Sequence, residues 1–264
     1  MSGGAELRSI EVVEDRTATS RCDEGFLRVQ RLVLRNHYED GSVSAAYPCD
    51  VLSRTGSDAV VAVLYEIDGE RHVRVVLRAA PRAPIYLRAR KTFVHPDPRS
   101  YLSLTELVAG MVEPGDPSGE AGLCRRAALE TEEEAGLAEP AEAFAVLGDG
   151  SFSSPGTGDE KLYFCAAPVE AAAAVPGRGD GSVMEECAKL VVLELGEAIA
   201  ACRSGAIPDM KTEIGLLRLA DHLGYLPQLG CFVDELSPEF AARHTPLGVS
   251  GCSAGGKRLN HRPR

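Results

Sequence analysis

Residues 109–137, AGMVEPGDPSGEAGLCRRAALETEEEAGL, carry the reading that decides the fold. An apolar strand end runs into a Gly/Pro loop, and a helix-forming segment follows that closes in a dense run of glutamates and stops at Gly136. At about 100° per residue, Glu130, Glu133 and Glu134 fall on one face of that helix while Glu132 points away. Carboxylates that close repel one another, and the C-terminal end of a helix favours cations. The cluster needs positive charge to offset it. On a bare surface helix such a run is a solvated acidic face. Beside a flexible loop it suits a hard divalent cation, because Mg²⁺ takes oxygen ligands from one or two carboxylates together with substrate phosphates.

The combination of AGMVEPGD with ETEEEAGL resembles the signature of the Nudix hydrolases: a glycine, a loop ending in glutamate, a spacer, Arg-Glu, and then Glu-Glu-x-Gly and an apolar residue. Gly110 stands at the opening glycine, and Glu130, Glu133, Glu134, Gly136 and Leu137 match the end. Three departures accompany the match: Asp116 holds the acidic loop position, Leu129 replaces the arginine, and the spacer is longer by about five residues. Arg126, four residues before Glu130, lies on the glutamate face and is the expected source of the missing positive charge.

The resemblance implies an α+β fold, an α/β/α sandwich of the Nudix type, with a small N-terminal antiparallel sheet. It also implies an enzyme, a phosphoanhydride hydrolase that splits the diphosphate linkage of nucleoside diphosphate sugars. ADP-ribose leads as substrate, giving AMP and ribose 5-phosphate. Similarity to the ADP-ribose pyrophosphatase branch extends over roughly residues 26–225, through TELVAG at 105–110, SSPGTGDEK at 153–161 and SGAIPDMKT at 204–212. By that resemblance the Ala109 carbonyl, Glu130 and Glu134 hold Mg²⁺, with Mn²⁺ as a substitute, and Glu133 shares a metal or polarises water. Gly110 lets the backbone approach the ion. Glu160 acts on the attacking water, and Arg78, Arg82, Glu106 and Met111 form the expected substrate-binding set. Tyr86, Phe93 and Tyr101 are the aromatic residues considered for stacking a base, and Asp50 and Arg54 are considered for reaching a neighbouring subunit's site. Two alternatives stay open: a hydrolase of UDP-sugars, and a Nudix-fold nucleotide-binding or regulatory protein weakened in catalysis, for which Leu129 and the long spacer are the motive.

The rest of the chain bounds this reading. Its 264 residues suffice for one domain with an added module, and a net charge of −11 lacks the basic footprint that nucleic acid requires. Eight cysteines without a C-x-x-C pair read as reduced thiols, and no apolar stretch approaches a signal core or a membrane span; a cytoplasmic location is expected. That character argues against an adhesion role for the RGD at 178–180. Residues 1–24 read as a flexible leader. Residues 25–56 read as an antiparallel sheet with a turn at Asp40 and Gly41, and in the resembling branch such sheets often exchange between subunits, which implies a homodimer. Residues 57–225 are the expected catalytic domain, including a hairpin turn at Asp68 and Gly69, and 226–264 an irregular or disordered tail.

Overall fold

The computed structural model describes residues 21–175 and 187–244; the leader up to residue 20, the RGD at 178–180 and the chain from 245 onward lie outside them. Strands β1 (Arg28–Leu34) and β2 (Tyr47–Ser53) pair antiparallel, with Arg28 opposite Ser53 and Leu34 opposite Tyr47. Between them Gly41 takes a left-handed φ of 82° that a side chain would resist, and the Asp40 carboxylate accepts from the Ser42 backbone.

The central sheet is mixed. Strands β3 (Ala59–Ile67) and β4 (Val73–Pro81) form a hairpin whose turn is held by Asp68, which accepts from the backbones of Glu70 and His72. Its left-handed residue is Arg71, with φ 65°, rather than the expected Gly69. After a short helix α1 (Ala83–Tyr86) come β5 (Ser103–Glu106) and β6 (Val108–Met111), then helix α2 (Glu120–Glu130). Short strands β7 (Ala145–Val146) and β8 (Ser151–Phe152) precede β9 (Lys161–Pro168) and β10 (Lys189–Glu194). Helices α3 (Leu195–Ser204) and α4 (Met210–Leu223), a hairpin of β11 (Tyr225–Leu226) and β12 (Cys231–Phe232), and α5 (Pro238–Ala241) complete it.

The sheet order is β10-β4-β3-β9-β7, and β3 with β9 is its parallel pair. The hairpin ladder between β3 and β4 covers only Leu64 to Ile67 against Val73 to Val76. Toward the other end the two strands part, and the segment holding β5 and β6 enters the fork, β5 pairing with β4 and β6 with β3. That fork positions the candidate site.

Alternation along the buried strands builds two cores. Val61 and Val63 of β3, with Val75, Leu77 and Phe164, pack against Leu195 of α3 and Leu216 and Leu219 of α4. Val60, Ala62 and Leu64, with Val76 and Cys165, pack against Cys124 and Ala127 of α2. The result is three layers, α2 on one face and α3 with α4 on the other, so the fold is α+β with the small N-terminal sheet added, as expected. The body extends past the expected limit at residue 225: Phe232 is buried in the larger core and meets Tyr225 edge-on at 5.2 Å between ring centres. Two aromatic rings complete the core here although the sequence beyond Tyr225 shows no regular pattern. Among the described residues no disulfide forms, and no helix is long and apolar enough to cross a membrane.

Candidate active site

The glutamate run behaves differently from a regular helix. Helix α2 ends at Glu130, and the chain continues through a π-helical turn, Thr131–Ala135, to Gly136, whose left-handed φ of 65° closes it. Thr131 is fully buried, and its hydroxyl donates 2.6 Å to the Ala127 carbonyl, holding the widened turn. Widening breaks the equivalence of the three carboxylates. Glu130 and Glu134 turn toward β6, with side chains 13% and 10% exposed, whereas Glu133 is half-buried and has no ion-pair or hydrogen-bond partner among the described residues. Regular helical spacing puts the three on one face; through the π turn, contacts with β6 are made by Glu130 and Glu134.

Both buried carboxylates meet the backbone of β6. A Cβ added at Gly110 would stand 1.8 Å from the Glu130 carboxyl carbon, so only glycine lets that carboxylate lie against the strand. The Ala109 backbone N–H donates to Glu134 at 3.4 Å, and Arg78 of β4 donates to the same carboxylate at 2.9 Å. Among the described residues no group of three His, Cys, Asp or Glu side chains is close enough to hold a metal. The donors at β6 are nonetheless hard oxygens, two carboxylates beside an exposed loop. That is the kind and number Mg²⁺ uses when substrate phosphates complete its shell.

Arg126 is 8% exposed and clamps the loop onto the helix. Its Nε and Nη2 donate to the two oxygens of Asp116 at 2.9 Å each, Nη2 lies 3.1 Å from Glu113, and Nη1 lies 3.8 Å from Glu130. Arg126 holds the Asp116 carboxyl below its usual range, and Asp116 in turn raises the pKa of Arg126. Arg125, its neighbour, is exposed, and Leu129 is half-buried. The positive charge one turn before Leu129 therefore sits where the sequence suggested, bracing Asp116 more closely than Glu130.

Across from β6 opens a cleft of about 390 Å³ whose lining includes Arg54, Arg82, Glu106, Met111, Glu160 and Lys211. Ala109 and Gly110 lie in its wall as well. Glu160 accepts from Arg54 at 2.6 Å and from the Ser153 hydroxyl at 2.9 Å, and Ser53 donates to Asp159 at 2.8 Å, so the N-terminal sheet and the 153–160 loop hold one another. Glu106 is 5% exposed and pairs with both Arg82 and Lys211. Lys211 also donates to Asp209, at 2.9 Å. Asp209 caps α4 by accepting from the Thr212 backbone, and the Thr212 hydroxyl accepts from the Leu107 backbone, which ties α4 to the crossing between β5 and β6.

Of the expected residues, the fork thus brings together Ala109, Gly110, Glu130 and Glu134, and the cleft gathers Arg82, Glu106, Met111 and Glu160. Arg78, expected at substrate, is 4% exposed and serves Glu134. Asp209 and Lys211 were missed as site residues, although the SGAIPDMKT stretch that contains them was singled out; Arg54 was considered only for a neighbouring subunit's site and lies instead in the cleft of its own chain. A scan against protein-family models finds no match to this chain, and a search of curated proteins finds none either.

Proposed function

We propose that this protein is a Mg²⁺-dependent hydrolase of the Nudix superfamily that cleaves the diphosphate linkage of nucleoside diphosphate sugars, ADP-ribose first among them, releasing AMP and ribose 5-phosphate. The observation that carries the reading is the meeting of the Glu130 and Glu134 carboxylates with the backbone of Ala109 and Gly110, two residues that also line the cleft holding Glu160. Glu130 and Glu134 would hold a divalent ion there, which would supply positive charge to the diphosphate and make water more acidic.

The chain's own residues divide the remaining work. Arg82 and Lys211, paired through Glu106 on the cleft wall, supply cations for the diphosphate. Phosphate oxygens compete with Glu106 for both, so binding draws on a preformed pair of donors. Glu160 orients the attacking water and takes its proton, once the substrate draws Arg54 away. Arg126 and Asp116 keep the loop seated so that Glu130 stays against Gly110.

Phe26, Val33, Tyr38 and Val43, in and around the β1 and β2 sheet, are 64%, 76%, 51% and 47% exposed and support a homodimer formed through that sheet. Light scattering reads the mass directly, and Val33→Glu is expected to shift dimer to monomer.

A second reading, a binding or regulatory protein on the same fold, is favoured by one observation: Glu134 and Glu160 each hold an arginine. Phosphate release from a panel of nucleotide sugars, with and without Mg²⁺, separates the two. Metal-dependent turnover of any member supports the hydrolase, and binding without turnover across the panel supports the second reading.

A further inference from the structure

A second cleft, of about 310 Å³, is formed by the segment between β4 and β5. Tyr86, Arg88, Lys91, Phe93, Arg99 and Tyr101 line it. Three cations against the single carboxylate of Asp97 make it locally positive in a chain of net charge −11. A basic loop is ordinarily only solvated, and two features set this one apart. First, two of its three cations are stacked on rings: the Arg88 guanidinium lies 4.2 Å from the centre of Phe93, and that of Arg99 lies 5.1 Å from the centre of Tyr101. Second, the Arg99 stack is pinned. Asp97 accepts from Arg99 at 3.1 Å and from the Tyr101 hydroxyl at 2.5 Å, and Arg99 donates 2.6 Å to the Gly205 carbonyl.

The two clefts share their supports. Arg82 of the first is the residue preceding α1, and Ile85 and Tyr86, at the end of the same short helix, line the second. On the other side, Gly205, held by Arg99, lies in the turn that leads to Asp209 and Lys211. A ligand that crosses α1 therefore meets phosphate-binding cations on one side and stacked planes on the other.

We propose that the second cleft is a nucleotide-base subsite, in which the planar ring of a nucleoside phosphate stacks on the Arg88/Phe93 and Arg99/Tyr101 planes while its phosphates point toward Arg82 and Lys211. Planar rings stack on aromatic faces and on guanidinium planes, and the arrangement needs no metal. The link to the first cleft rests on the hydrolase reading given above; nucleotide binding at the second does not.

The test is calorimetric binding of AMP to the full chain without metal, with ribose 5-phosphate as the probe that lacks a base. Phe93→Ala and Arg88→Ala are expected to weaken AMP roughly tenfold or more, to leave ribose 5-phosphate unchanged, and Phe93→Trp to restore AMP. No AMP binding by the wild-type chain, or binding indifferent to Phe93→Ala, overturns the subsite. If no nucleotide sugar is hydrolysed yet AMP binding depends on Phe93, the hydrolase reading fails and the subsite stands. If ADP-ribose is hydrolysed with a KM untouched by Phe93→Ala, the subsite fails and the hydrolase reading stands.

Discussion

The two clefts, one lined by the residue before α1 and the other by the end of α1, are made of opposite materials. In and around the first, charged groups are paired with opposite charges and drawn from several elements of the frame: Arg78 with Glu134, Arg82 and Lys211 with Glu106, Arg126 with Asp116. In the second, the cations lie on a loop, exposed and supported by rings. The difference separates two demands. A site that must hold carboxylates together needs opposite charges beside them and a rigid frame, or the carboxylates swing apart. A recognition surface tolerates a loop, because stacking keeps its strength through small displacements.

Substitutions can break or sharpen that contrast. The largest effect is expected at the fork: Glu134→Gln should lower ADP-ribose turnover by more than about 100-fold, beyond what loss of an outer-shell partner costs. Gly110→Ala comes next. Its methyl group would displace the Glu130 carboxylate, a flexible side-chain end, so the fold should survive by circular dichroism while turnover falls by about 100-fold, the cost of a misplacement near 1 Å. Arg126→Ala should lower thermal stability by about 3–5 kcal/mol, since it strands the Asp116 charge, and lower turnover by about 10- to 100-fold. Arg125→Ala, on the exposed side, should change neither by much, and equal effects would remove Arg126 from the account.

Acid titration sharpens the same point. The Asp116 pKa is depressed when folded, so its pairing stabilises the protein above the ordinary carboxylate value of about 3.9 and loses that contribution as pH falls through the folded value. Asp116→Asn should therefore melt below wild type at pH 7, and the two should converge in strong acid. The smallest effect belongs to the second cleft, where Arg88→Ala should leave stability within about 0.5 kcal/mol of wild type.

Much of the frame is legible in the chain because it is written locally. The turn at Asp40 and Gly41, the strand alternation that feeds two cores and the glycine stop at 136 all act within a few residues. The site is less so. Arg54 and Glu160 are 106 residues apart, and Glu106 and Lys211 are 105 apart; the first pair meets because β3 and β9 lie parallel and begin side by side, the second because β5 enters the fork beside the start of α4, and both are properties of topology. The π turn escaped because spacing arguments assume a regular helix, and the helix widens just after Glu130. Arg78 misled for a simpler reason. An arginine on a strand that leads toward the site is expected to reach substrate, yet here it is buried as the counter-charge of Glu134.

The claim on which everything else depends is that Glu130 and Glu134 gather a divalent cation against β6. Mn²⁺ titration followed by electron paramagnetic resonance, in the presence of a non-hydrolysable ADP-ribose analogue, measures that directly. The account predicts saturable Mn²⁺ binding to the wild-type chain that is lost in Glu134→Gln; identical Mn²⁺ binding by the two proteins would contradict it.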